Sequence, residues 1–282
     1  MRGRYAWAIG LNVAFVALEA AAGVWSNSTA LLADAGHNLS DVLGLLLAGG
    51  AAWLATRPAS GRRTYGYGKA GILAALGNAL LLVFASGAIG WEAAGRLAQS
   101  ETVRPDLMIG VAAAGVALNF GTALLFLRGR KDDVNARGAF LHMSADAAVS
   151  LGVVVAGVLI MVTGFAWIDA AVSLLIVAVI LLGTLSLLRD SLNLALDAAP
   201  AGLDVAEVRR ALADLPGVSE VHDVHVWNVS ARETALTAHL VRAEPPTQAF
   251  YDAARDGLKA RFNIGHATLQ VEPDPAADCP RC

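Results

Sequence analysis

Residues 31–50, LLADAGHNLSDVLGLLLAGG, are an apolar run with His37 and Asp41 set into it one helical turn apart. Residues 139–158, AFLHMSADAAVSLGVVVAGV, repeat the device with His142 and Asp146 at the same spacing. Both runs otherwise read as membrane helices. An aspartate at the centre of such a helix costs roughly 2.5 to 3.5 kcal/mol, so the two together cost about 5 to 7. Something must offset that cost, and a divalent cation is the simplest candidate.

The rest of the chain agrees with a membrane setting. Of its 282 residues, 56% are hydrophobic and 16% charged, with a mean hydropathy of +0.55. Soluble domains carry about 25% charged residues. A net charge of −3 points to no nucleic-acid partner. A span needs about 20 mainly apolar residues, which predicts helices over 5–25, 30–56, 70–98, 106–128, 137–163 and 166–189. The basic start MRGRYAWAIG resembles a signal peptide, but the apolar segment holds Glu19 and runs to Trp25 without a processing site. It reads as a retained first span. Gly164, Phe165 and Trp167 split the long apolar stretch 142–188 into two spans.

Basic residues set the orientation. Arg2 and Arg4 precede the first span; Arg57, Arg62, Arg63 and Lys69 follow the second; Arg128, Arg130, Lys131 and Arg137 follow the fourth. The links at 26–28 and 164–167 carry none, and the one near Ser100 mixes Arg96 and Arg104 with Glu101 and Asp106. Both termini are therefore expected in the cytoplasm. The small residues of the third span (Gly71, Ala74, Ala75, Gly77, Ala79) predict close helix packing there.

Residues four apart share a helix face, so each His–Asp pair can converge on one ion. Two such helices face to face supply two imidazole nitrogens and two carboxylates, a tetrahedral set suited to Zn²⁺. Mg²⁺ and Ca²⁺ prefer all-oxygen shells. Interhelical hydrogen bonding is the alternative for one buried pair, but two copies at equal spacing favour metal. Asp34, three residues before His37, either lines the route in or marks a helix start near the interface. Glu19 is either a structural partner or part of the proton or cation path. Asn12, Asn78 and Asn119 read as polar glue between helices. Metal binding to histidine competes with protonation near pH ~6.5, so inward protons can displace outward metal.

From Asp197 onward the pattern becomes that of a soluble domain. Val205, Val208, Leu212 and Leu215 follow a helical period. Two alternating runs, 218–229 and 233–242, flank a short turn at 230–232, and a helix over 247–262 and a strand over 266–272 follow. The order αββαβ predicts a small two-layer α+β domain. The expected organisation is a membrane domain over 1–195, a second domain over 196–275 and a Cys-x-x-Cys tail over 276–282.

With His-x-x-x-Asp pairs in the second and fifth of six spans, the chain resembles the zinc-transporting branch of the cation diffusion facilitator family. The resemblance extends over SNSTALLADAGHNLSDVLGL, YGYGKAGILAAL, VHDVHVWNVS, ALTAHL and HATLQVE, and so over almost the whole chain. It implies a homodimeric, proton-coupled metal exporter of a bacterial inner membrane, with a cytoplasmic ferredoxin-like domain. It also implies a transport site on His37, Asp41, His142 and Asp146, with histidine at the first position matching the zinc-preferring pattern. Two departures stand out. Arg63 and Tyr67 replace the histidines of a second loop site, and RGRKDDVNARG lacks the His-rich loop of many eukaryotic members. The first departure predicts that the loop site is missing.

The resemblance further implies zinc in the cytoplasmic domain, on some of its histidines with Glu272. His222 and His225 are an odd number apart and point to opposite faces of a regular strand. His222, His239 and His266 are the favoured set, each of which also reads as an ordinary surface histidine. Cys279 and Cys282, in the terminal DCPRC, have a zinc-binding spacing but also fit a free tail or a dithiol. The closing position, with no helix to follow, argues against redox work. No nucleophile–base set is present, and the G-x-G of YGYGK lacks strand and helix context, so no enzyme is expected. The competing expectation is a membrane-anchored zinc sensor or buffer acting through the C-terminal domain, or an exporter of Co²⁺, Cd²⁺, Fe²⁺ or Mn²⁺.

Overall fold

The computed structural model describes residues 2–97, 102–127, 134–230 and 233–273. Six helices follow the six apolar segments: α1 (Arg2–Ser26), α2 (Thr29–Ala55), α3 (Ala70–Leu97), α4 (Pro105–Phe126), α5 (Val134–Thr163) and α6 (Trp167–Ala195). Five of them are long and apolar enough to cross a membrane, and the described apolar part of α1, Val13–Ser26, is shorter. Their outer surface carries large apolar side chains such as Trp91 (84% exposed) and Leu125 (81%). Water would not tolerate so much exposed apolar area, whereas lipid solvates it.

The chain divides into two compact units, one of residues 1–46 with 77–186 and one of 47–76 with 187–282. In the first, local backbone chemistry sets the helix ends. Gly164 adopts φ +75°, and its N–H closes on the Ile160 carbonyl at 2.8 Å, which ends α5. Pro105 opens α4, where a missing N–H costs nothing. Ser28 caps α2 through its Oγ, which accepts from Leu31 N at 3.1 Å.

A carboxylate reinforces the same helix start. Asp169, in the first turn of α6, accepts from Ser28 Oγ at 2.5 Å, Thr29 N at 2.7 Å, Thr29 Oγ1 at 2.9 Å and Ala30 N at 3.3 Å. All four residues are buried. The negative charge sits where the α2 dipole is positive, so α2 and α6 are joined at one end.

Leu31, Met108, Ala112, Val153, Ala156 and Ile176 form the core of this unit. The small residues of the third helix differ in their packing: Ala79 is fully buried, whereas a Cβ at Gly71 or Gly77 would meet nothing within 4 Å among the described residues. The tight approach is between α4 and α5, where a Cβ at Gly157 would lie 2.6 Å from Ile109 Cγ1. Gly157→Leu is therefore expected to destabilise the protein by about 1 to 3 kcal/mol through overpacking. A lowered thermal midpoint in detergent checks it; an unchanged midpoint refutes the close contact.

The second unit contains α7 (Val205–Ala213), β1 (Val218–Asn228), β2 (Thr234–Arg242), α8 (Gln248–Phe262) and β3 (Ile264–Glu272). The order αββαβ is the predicted one. Asp204 and Thr247 cap α7 and α8 through their side chains, and Asn263, at φ 55°, ends α8. The sheet order is β1-β2-β3, with β1 antiparallel and β3 parallel to β2. Val208, Leu212, Phe250 and Leu258 from the helices pack with Val226, Leu236 and Leu240 of the sheet. Side chains alternate across a strand, so the opposite sheet face carries Thr237 and His239.

The strand β1 is not regular. His222 pairs with His239 and His225 with Thr237, so three steps on β1 match two on β2. Asp223, at φ 50°, absorbs the extra residue as a bulge. His222 and His225 consequently face the same side, contrary to the expectation for a regular strand.

Candidate metal centre

The two His–Asp pairs meet between α2 and α5. His37 Nε2 lies 3.9 Å from Asp41 Oδ2 and 3.4 Å from Asp146 Oδ1. His142 Nε2 lies 3.3 Å from Asp41 Oδ2 and 3.6 Å from Asp146 Oδ2. Nitrogen and oxygen thus alternate around a four-cornered ring. A tetrahedral ion with bonds of about 2.0 to 2.2 Å has ligand–ligand edges of roughly 3.3 to 3.6 Å. The observed distances run close to that range, with Asp146 meeting the two histidines through different oxygens. Helical spacing brings each pair onto one face, and packing of α2 against α5 brings the faces together.

Asp146 is buried, with a side chain 3% exposed, while His142 is 45% exposed. The more open side faces a cavity of ≈ 310 Å³ that touches Asp41, His142 and Asp146. Asp34 and Glu19 are fully buried and are not among the residues lining it. Asp34 is therefore not part of the cavity wall. Its Oδ2 accepts from Ser150 Oγ at 2.7 Å, and Glu19 Oε2 accepts from Asn38 Nδ2 at 3.0 Å. These bonds tie α5 and α1 to the same stretch of α2. Asn119 and Asn78, read as interhelical glue, line the cavity. The Asn12 side chain lies outside the described residues.

A second cluster forms on the open face of the C-terminal sheet. His239 Nδ1 is 2.9 Å from Glu272 Oε1, and His222 Nε2 is 3.6 Å from Glu272 Oε2. The two imidazole centroids are 5.2 Å apart. Three ligand atoms of His222, His239 and Glu272 lie within 4.8 Å of one another. His266 does not join them. It pairs with Ala235, four residues along β2 from His239 and so about 13 Å away, and its ring stands against Tyr65 at 6.1 Å. Cys279 and Cys282 lie outside the described residues.

Asp223 belongs to this cluster, although the alternation argument passed over it. Its carboxylate lies 2.8 Å from His225 Nε2 and 3.7 Å from His239 Nε2. The hydrogen bond from His225 holds the Asp223 carboxyl below the usual carboxylate range. The adjacency in His222-Asp223 was the available signal, hidden by the assumption of a regular strand.

Comparison with known proteins covers both parts of the chain. The family model described as the cation efflux transmembrane domain matches residues 6–194, and that of the cation efflux protein cytoplasmic domain matches 200–274. The metal cation efflux system protein CzcD of Cupriavidus metallidurans is 36% identical over 95% of this chain and 85% of its own. The zinc transporter ZitB of Escherichia coli is 36% identical over 98% and 90%. A cadmium, cobalt and zinc/H(+)-K(+) antiporter of Bacillus velezensis is 32% identical over 92% and 84%. With both domain models matched in order along one chain, the protein belongs to the cation efflux family, the cation diffusion facilitators, and is a multi-pass membrane transporter of metal cations.

Proposed function

We propose that this chain exports Zn²⁺ from the cytoplasm in exchange for protons, as a homodimer, through His37, Asp41, His142 and Asp146. The observation that carries the reading is the alternating ring of two imidazoles and two carboxylates at membrane depth. Its two negative charges are balanced either by one divalent ion or by two protons on the histidines. One Zn²⁺ and two protons are thus alternative occupants of equal charge. Acidification favours the protons, because ligands bind metal only after deprotonation. Burial makes an unbalanced state costly, which couples the two fluxes without covalent chemistry.

The exposed Arg57, Arg62 and Arg63 between α2 and α3 favour a cytoplasmic location for that link and hence for both termini. Glu19 and Asp34 carry protons between the ring and the far side of the membrane in this reading. Zinc also binds His222, His239 and Glu272 in the C-terminal domain, with Asp223 beside them. The names of the relatives extend the candidate cargo to cadmium and cobalt. A second reading, a membrane-anchored metal sensor or buffer, rests on that C-terminal cluster.

Proteoliposomes of the purified protein separate the two. Zinc is expected to enter vesicles with an acidic interior while protons leave in step, and to stay outside when the gradient is collapsed. Zinc flux indifferent to the gradient would refute proton coupling. Zinc binding without any flux would favour the sensor.

A further inference from the structure

The cavity beside the ring has a polar wall that metal coordination in the ring does not use. Asn38, Asn78 and Asn119 line it together with Asp41, His142 and Asp146. Asn119 is only 4% exposed, yet its Nδ2 has no hydrogen-bond partner among the described residues. Asn78 Oδ1 is likewise buried and without a partner among them. Each such group destabilises the fold when left unsatisfied. Asparagines that tie helices together in lipid do so by bonding across them; these two leave a polar atom unbonded. Their free capacity calls for an occupant of the cavity.

The occupant's chemistry follows from the wall. Two carboxylates draw a cation, and amide oxygens are ligands or water-shell partners that divalent cations accept. Rotation of an amide by half a turn exchanges its oxygen and nitrogen, so Asn119 can present either. The volume of ≈ 310 Å³ exceeds the roughly 180 Å³ taken by six waters at about 30 Å³ each. Neutral amides hold such an ion weakly enough to release it, which a transport path needs. Asn78 lies about two turns from the start of α3, and Asn119 about two turns from the end of α4. Both helix ends lead to the basic links, the cytoplasmic side in the reading above. Gly44 keeps Asn78 in place, since a Cβ there would lie 3.1 Å from Asn78 Nδ2.

We propose that Asn78 and Asn119 form a loading site, in which a hydrated divalent cation is held beside the ring before it sheds water and enters it. The inference rests on the transport reading and its orientation. The test uses Asn78→Leu and Asn119→Leu in the full chain, reconstituted in vesicles and supplied with Zn²⁺. Loss of one shell contact is expected to raise the KM for Zn²⁺ about tenfold and to change the maximal rate less than about twofold. Asn78→Asp and Asn119→Asp, which restore an oxygen, should bring KM back to or below wild type and slow the maximal rate.

Interhelical glue gives the opposite pattern: the leucine variants lose thermal stability and maximal rate with KM unchanged, and the loading site is wrong. If the leucine variants do not fold, Gly44→Ala displaces the Asn78 amide with a single methyl. Its KM should rise about threefold, and an unchanged KM overturns the proposal. Asp146→Ala runs in parallel. If it transports like wild type, the transport reading itself fails; if it is inactive while the asparagine variants keep a normal KM, only the loading site fails.

Discussion

Asp41→Ala and Asp146→Ala are each expected to reduce zinc flux in proteoliposomes to that of protein-free vesicles. Each carboxylate faces both histidines, Asp41 at 3.9 and 3.3 Å and Asp146 at 3.4 and 3.6 Å. Removing one breaks two edges of the ring at once. It also leaves a divalent ion facing a single negative charge where solvent cannot supply the other. Loss of a supporting group outside the coordination shell costs about 10- to 100-fold in metal affinity, so loss of a ligand must cost at least about 100-fold. Asp146 is the more deeply buried of the two, so its variant should also lose more zinc affinity in a binding measurement. Wild-type flux in either variant would end the transport reading in this form.

Asp169→Ala is expected to have the second largest effect, and on stability. The side chain satisfies four donors at the buried start of α2. Water cannot replace it there, and removing the acceptor of a buried charged network costs about 3 to 5 kcal/mol. Asp169→Asn keeps one acceptor oxygen and loses the charge at the helix dipole, so it should fall between alanine and wild type. Thermal midpoints in detergent, with the yield of folded protein, give the order. An alanine variant as stable as wild type would show that α2 and α6 are joined by packing rather than by the carboxylate.

The sequence resolves these features unevenly, for physical reasons. Membrane helices are legible because each needs an uninterrupted apolar run; a helix covers each of the six runs, and the largest departure is α6, which continues from the expected end at 189 to Ala195. The quartet is legible because spacing four on a helix enforces a shared face. Likewise αββαβ follows from period changes at Pro and Gly. By contrast, Asp169 belongs to no spacing pattern; its partners lie about 140 residues earlier, and only folding joins them. Asn78 and Asn119 show the same gap, since an asparagine in a span reads alike whether it bonds a helix or borders a cavity. Gly71 and Gly77 mislead in the other direction, because small size permits close packing without supplying a neighbour. In the C-terminal sheet the side that His225 faces is misread because alternation holds only until Asp223 leaves the extended region, and His266 lies too far along β3 to meet His239, which the spacing within one strand cannot show.

That bulge makes β1 one residue longer than its register needs. Deleting Asp223 would leave His222 opposite His239 and His225 opposite Thr237, two steps apart on both strands. Val221 would stay in the apolar layer beside Leu240, and His222 would stay on the open face. What the deletion removes is the carboxylate that stands 2.8 Å from His225 and 3.7 Å from His239. The extra residue thus adds a charge beside the histidines without changing which side chains meet the core.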